Sequence, residues 1–255
     1  MSQLDSTNPL TVSARLAEVL SGHTRQAFGL MGNGNAHLID AATATAIARG
    51  LALVIVPAGE ATIWDRLPLD GLIVVDPVPD DPAVRELANR AVPIVTIGKL
   101  PQGGAQAKVV DNDYSAGTAA MLDHLIDAGA RRVGVLALSV GESYEAESLA
   151  EYRAWSARRG QQPWVHTSAH VDWSSPRVWV DFEEIASTAA KECLEAPDVP
   201  DALYCLSESY ALALVSACRE RGIDVPGDMM VAPLADLGLA ERTTYRLVIR
   251  STDAS

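Results

Sequence analysis

The chain has 255 residues, 48% of them hydrophobic, and 33 acidic against 20 basic side chains give it a formal charge of −13. That length suits one large α/β domain or two smaller ones, and the charge opposes contact with DNA phosphates by this segment. No apolar run is long enough to span a membrane, and Met1 to Leu10 lacks the basic and apolar regions of a signal peptide, so a cytoplasmic protein is expected.

Ser13 to Gly22 reads as a short amphipathic helix with Gly22 as its stop, and Ala27–Met31 as the first strand. The glycine-rich loop Gly29 to His37 follows. A dinucleotide fingerprint would require a third glycine where His37 stands, so no nicotinamide cofactor is expected. Strands at Leu51–Val56, Gly71–Val75 and Ile94–Ile97 then alternate with helices around Leu38–Ala48 and Pro82–Arg90.

The run from Val109 to Leu138 is the most explicit. Val109 and Val110 end a strand, and Asp111-Asn112-Asp113 offers side-chain acceptors for a helix start. Ala119, Leu122, Leu125 and Ile126 recur at helical spacing, Gly129 stops the helix, and Val133–Leu138 is short, branched and apolar, as a covered parallel strand should be. A βαβ unit is expected. Downstream come helices at Glu145–Arg159, Phe182–Leu194 and Tyr210–Arg221, and strands at Trp164–Thr167, Ala202–Leu206 and Met229–Ala232, with Asp172–Val180 as a long loop. The fold class is therefore α/β, with two doubly wound parallel sheets, an arrangement expected to place a cleft between its halves.

Four phrases, in register, carry a resemblance. Leu69 to Val75, Ala91 to Ile97, Val109 to Leu138 and Arg219 to Pro226 are similar in wording and order to the lactose/galactose repressor family of bacterial regulators, in its effector-binding, periplasmic-binding-protein-like core. The resemblance covers roughly residues 13 to 240. It implies a hinge-helix remnant and linker over 1–24, an amino-terminal lobe over 25–138, a carboxyl-terminal lobe over 139–240 and a truncated return segment over 241–255. Relative to the family, the helix-turn-helix before the hinge and the closing elements after Asp236 are expected to be missing, which implies marginal stability, a partner surface or a truncated product. Where the family's hinge contacts DNA, this chain has Arg15 and Leu20, the leucine matching a minor-groove wedge. An ordinary helix packed on the domain edge is the competing reading.

The same resemblance points to ligand residues. Asn33 and Asn35 fall in a loop at the carboxyl end of the first strand, where they either meet a polar ligand or simply form a turn. Ser148 stands where family members hold an effector with arginine, so a bidentate cationic clamp has become one hydroxyl. Ser207 and Glu208 replace an asparagine–aspartate pair, and Asp236 remains from a pair of aspartates whose first member is Ala235. Trp173 sits where some members stack an aromatic ring on the effector; a loop aromatic packed on its own domain is equally consistent.

Catalytic signals are poor. Gly141 to Glu145 begins like a nucleophile elbow but has Glu145 where glycine is required. The words Phe28 to Asn35 also look like the start of thiamine-diphosphate enzymes, which would put a catalytic glutamate near Glu60, with nothing downstream in support. His166 and His170 lie in a strand or loop, where a four-residue spacing does not bring them to one face, so no metal is expected. Cys193, Cys205 and Cys218 share no ligand spacing and read as reduced core residues. The sequence thus implies a non-enzymatic, homodimeric sensor of a sugar- or nucleoside-like effector, binding DNA only if a head domain is supplied. The alternative is a degenerate interaction protein whose ligand site has decayed.

Overall fold

The computed structural model describes residues 27–31, 36–56, 67–75, 77, 89, 92–99, 107–139, 141–171 and 178–234. The hinge segment 1–24, the return segment 241–255 and all but residue 89 of the helix expected at Pro82–Arg90 lie outside them. The chain divides into two compact units: Met1–Asp113 with Gly141–Tyr144, and Tyr114–Val140 with Glu145–Ser255.

The first unit holds a five-stranded sheet, β1 (Ala27–Met31), β2 (Ala52–Val56), β3 (Gly71–Val75), β4 (Ile94–Ile97) and β5 (Ala107–Val110), in the order β2-β1-β3-β4-β5. Every pairing is parallel. Helix α1 (Ala36–Ala48) contributes Ala42, which is buried with Ile73 and Val95, and Ile39, Leu53, Ile97 and Val110 pack around them. β3 is buried along its whole length, as its unbroken apolar sequence requires of a strand covered on both faces. The outer strands β2 and β5 expose Ile55 and Val109.

The second unit holds α2 (Tyr114–Asp127), β6 (Val133–Ala137), α3 (Ser143–Arg158, whose first two residues belong to the first unit), β7 (Val165–Thr167), α4 (Val178–Glu195), β8 (Ala202–Cys205), α5 (Glu208–Glu220) and β9 (Met230–Pro233). Its sheet runs β7-β6-β8-β9, again all parallel. α4 begins at Val178, so the loop expected through Val180 ends earlier and Trp179 is helical.

One sequence expectation is corrected. The strand–helix–strand run from Val109 to Leu138 exists, but its strands do not share a sheet: β5 is the outer strand of the first sheet and β6 an inner strand of the second. Val133–Leu138 therefore does not belong with the first lobe, and α2 already lies in the second unit. Apolar periodicity reports that a strand is covered on both faces; it carries no information about which sheet covers it. The expected helical face is present, with Leu122 and Leu125 fully buried beside Thr118 and Met121 while Asp123 and Asp127 face water. Gly129 takes φ +112°, the left-handed region that lets the chain turn from α2 towards β6.

β6 is fixed at its start by polar contacts. The Asp201 carboxylate, just before β8, accepts hydrogen bonds from the backbone N–H of Arg132 (2.8 Å) and of Arg131, and from Arg131 Nε at 2.9 Å. Burial alone would raise the Asp201 pKa, yet these donors together outweigh it and hold the carboxyl below its ordinary value. On the β7 side, the buried Tyr152 hydroxyl donates to Val133 O at 2.8 Å and accepts the Trp164 N–H at 2.9 Å, so one side chain of α3 ties the openings of two strands together. Trp155, on the same helix, donates from Nε1 to Asp123 of α2 at 2.8 Å under the Arg159 guanidinium. The three cysteines are buried and unbonded to one another, with Cys218 Sγ 3.8 Å from Met229 Sδ; burial pushes the Cys193 thiol up to about 12.

Gly134 shows how closely β6 is covered. A Cβ there would meet the Trp164 ring at 2.7 Å, Pro200 at 2.8 Å and Leu203 at 3.0 Å. Gly134→Ala is expected to destabilise the protein by about 1–3 kcal/mol, as overpacking does, measured by urea unfolding; an unchanged midpoint would show that the Trp164 ring yields freely. Asp201→Asn is expected to cost about 1–3 kcal/mol at pH 7 by weakening charge-assisted hydrogen bonds. Because the folded pKa is lowered, the stabilisation is present above the unfolded value of about 3.9 and lost as pH falls through the folded one. The gap between wild type and variant should therefore close on acidification below about pH 4, and a gap constant from pH 7 to 3 would refute this.

Candidate functional site

In a doubly wound sheet, ligands bind beyond the carboxyl ends of the strands, where the strand order reverses and successive crossings leave to opposite sides. In the second sheet that reversal lies between β6 and β8: the crossing after β6 leads to β7, the crossing after β8 to β9. In the first sheet it lies between β1 and β3, but residues 32–35 after β1 are outside the described residues. The site is therefore built here from the second unit.

Four segments meet the edge formed by the carboxyl ends of β6 to β9: Leu138-Ser139, Ser168 to Val171, Leu206 to Glu208 and Leu234. Backbone bonds extend the ladders past the strands, from Ser168 N to Ala137 O (3.1 Å), Leu206 N to Leu136 O (3.0 Å) and Leu234 N to Cys205 O (2.8 Å). Side chains then lock the loops. Tyr210 of α5, fully buried, donates its hydroxyl to Ser168 Oγ at 2.9 Å, and Ser168 donates to Ala169 O at 3.0 Å. The Tyr210 ring packs against Phe182 of α4 at 5.4 Å between centroids. His170 Nδ1 lies 2.7 Å from Ser139 O, and since a carbonyl only accepts, the proton sits on Nδ1. The edge is thus a fixed frame of hydrogen bonds.

Into this frame fall three of the residues selected from the sequence. Ser148 lies on the second turn of α3, 1% exposed, and its Oγ has no hydrogen-bond partner. Ser207 occupies the cap position before α5 in an extended conformation (φ −154°, ψ 145°), yet its hydroxyl makes no capping bond. Glu208 opens the first turn of α5 and is 2% exposed. Asn33, Asn35, Trp173 and Asp236, together with Arg15 and Leu20 of the expected hinge, lie outside the described residues.

Residues the sequence reading passed over complete the edge. Glu145 is buried on the first turn of α3, one helical turn from Ser148 and so on the same face. Burial is the main cause that raises the Tyr210 pKa, the bond to Ser168 opposes it, and the Glu145 charge adds to the rise, so Tyr210 remains a neutral donor. The i, i+3 spacing of Glu145 and Ser148 was the available signal. Nothing local marked Ser168 or His170, whose partners are 42 and 31 residues away. Ser143, from the elbow-like stretch, instead opens α3 and accepts the Lys99 N–H at 3.2 Å. His166 stacks near Trp164 and lies 3.7 Å from Glu192, and no group of three metal-capable side chains occurs among the described residues. No helix among them is long and apolar enough to cross a membrane.

Comparison with known proteins agrees with this architecture. Residues 122–248 match the family described as periplasmic binding protein-like domain. The HTH-type transcriptional repressor PurR of Photobacterium profundum is 29% identical over 174 residues, which cover 68% of this chain and 49% of that protein. The HTH-type transcriptional regulator Rv3575c of Mycobacterium tuberculosis is 28% identical over 173 residues, or 64% of this chain and 48% of the relative. The chain thus spans about half the length of these relatives. Among solved structures, the transcription regulator CcpA of Lactococcus lactis superposes with a TM-score of 0.69 over 88% of this chain and 83% of that one; at 15% identity this likeness concerns the fold.

The uncapped Ser207 separates two roles that serine usually combines at a helix start. Ser207→Ala is expected to change stability by less than about 0.5 kcal/mol, against the roughly 1 kcal/mol of a working cap. A thermal or urea melt measures this, and a loss near 1 kcal/mol would mean that the hydroxyl caps α5 in solution.

Proposed function

We propose that the chain, whose residues 122–248 match a periplasmic binding protein-like domain, is the small-molecule-sensing part of a transcriptional regulator of the lactose/galactose repressor family. The observation that carries the reading is the polar edge of the second sheet. There Ser148, Ser207 and Glu208 occupy the positions that the family resemblance assigns to effector contacts, beside the reversal of strand order where doubly wound sheets bind ligands. On this reading Asn33, Asn35, Trp173 and Asp236 are the remaining effector contacts, and the ligand is a sugar or nucleoside. The two lobes, each built on one of the parallel sheets, are the halves that close on it. Binding biases that closure and, through it, the geometry of a homodimer, a population shift rather than a chemical step. The protein works in the cytoplasm without turnover of its ligand. With a formal charge of −13, this segment leaves DNA contact to a separate basic element.

The test is a thermal-shift screen of the purified chain against sugars, nucleosides and purines. A ligand at one hundred times its Kd adds about 2.7 kcal/mol to the folded state, enough for a resolved rise in Tm, and the ligand is recovered unchanged. If no compound of these classes raises Tm, the sensing reading fails and a decayed, interaction-only domain takes its place.

A further inference from the structure

Resting on the sensing function proposed above, we infer that His170 is a further effector contact that sets specificity: its Nε2 lone pair accepts a hydrogen bond from a hydroxyl or N–H of the ligand. The loop after β7 is held on both sides of this residue. Tyr210, in the first turn of α5, donates to Ser168 Oγ at 2.9 Å, and the Ser168 N–H continues the ladder to Ala137 O of β6. Ser168 and Val171 are buried, at 7% and 1%, while His170 between them is exposed. The loop is thus tied to β6 and to the helix that follows β8, the two strands between which the strand order reverses.

An exposed histidine in water samples several rotamers and both tautomers. Here Nδ1 donates to Ser139 O at 2.7 Å, just past the carboxyl end of β6, and that bond fixes the ring's orientation and its tautomer. The neutral ring then carries its lone pair on Nε2. No described residue bonds Nε2, and the ring is exposed, so this acceptor is open to a ligand. Holding an exposed side chain in one rotamer costs conformational entropy, which a solvent-exposed hydrogen bond offsets only in part. A ligand that meets an acceptor already in place does not have to order it. The second, independent observation is Ser148, on the helix that follows β6. A hydroxyl 1% exposed and without a hydrogen-bond partner is an unmet cost in the free protein, one that a ligand donor or acceptor would remove. Serine both donates and accepts, whereas His170 Nε2 in the neutral ring only accepts. The pair therefore suits a ligand with several hydroxyls or N–H groups, one of which donates to His170. An ether or a fluorine in that place would set lone pair against lone pair.

The experiment offers glucose, galactose, ribose, adenosine and inosine to the intact chain, by thermal shift and calorimetry. The tightest binder is then compared with its deoxyfluoro analogues, in which fluorine replaces one hydroxyl and cannot donate. At least one analogue should bind the wild type about three- to tenfold more weakly, the worth of a neutral hydrogen bond, and that penalty should vanish in His170→Asn. The asparagine amide still donates to Ser139 O but ends short of the Nε2 position. Tm of the free protein should therefore hold while Kd for the parent probe rises by the same factor. His170→Gln places an amide oxygen near the Nε2 position and loses the donor to Ser139 O; it should lower Tm and keep the discrimination against the fluoro analogue. The penalty is a ratio between two ligands on one protein, so it decides even where a variant is less stable. If His170 only ties the loop, His170→Asn keeps the wild-type Kd and every fluoro penalty, which overturns this inference and leaves the sensing function standing. Binding by none of the probes, together with a silent screen of sugars, nucleosides and purines, overturns both.

Discussion

The second unit depends on β6 being enclosed on every side. It is an inner strand paired with β7 and β8, buried at all five residues, and without a Cβ at Gly134, where Trp164, Pro200 and Leu203 close in. A strand so enclosed has no freedom to slip, because a one-residue shift would turn its whole pattern over and drive side chains into space that Gly134 leaves to its neighbours. Tyr152 and Asp201 fix the same strand at its start by polar bonds to backbone groups of Val133, Arg131 and Arg132. With one end of β6 set, the position of the other end follows, and the polar edge inherits its precision from the opposite side of the sheet.

This explains a division of labour between the two edges of the second sheet. The amino-end edge holds complementary pairs: Arg131 with Asp201, Arg158 with Glu151, Arg221 with Glu195. Exposed pairs of this kind add little stability each, though the Asp201 cluster gains from donating backbone groups. The carboxyl-end edge is instead held by hydrogen bonds, from Tyr210 to Ser168 and from His170 to Ser139. The two edges are thus held by different chemistry, ion pairs at one and hydrogen bonds between loops at the other.

Much of the fold was legible in the sequence because parallel strands buried on both faces are written as apolar runs, and α2 as a 3.6-residue stripe ending in Gly129. The pattern was blind to sheet membership. Val133–Ala137 looks the same whether it pairs with β5 or with β8, and only long-range pairing decides. The candidate site was drawn by position alone: Ser148, Ser207 and Glu208 come from the resemblance, which carries nothing about their states. Nothing in the sequence distinguishes a serine that caps a helix from one that does not, or a glutamate in water from one 2% exposed. Tyr152 is a further case, a bolt between two strands whose bonded groups lie 19 and 12 residues away.

Ser148 is where these arguments meet. An arginine at that point of α3 would bring a charge to a buried helix face already occupied by Glu145 one turn away, and the pair would neutralise each other there. With serine the helix face carries a hydroxyl where the family resemblance places a guanidinium. A site that had simply decayed would be expected to fill such a position with an apolar residue, because an unmet buried hydroxyl destabilises the free protein and a methyl group of similar size does not. That the position holds a hydroxyl with no partner, rather than alanine, favours a side chain kept for what it meets when the site is occupied.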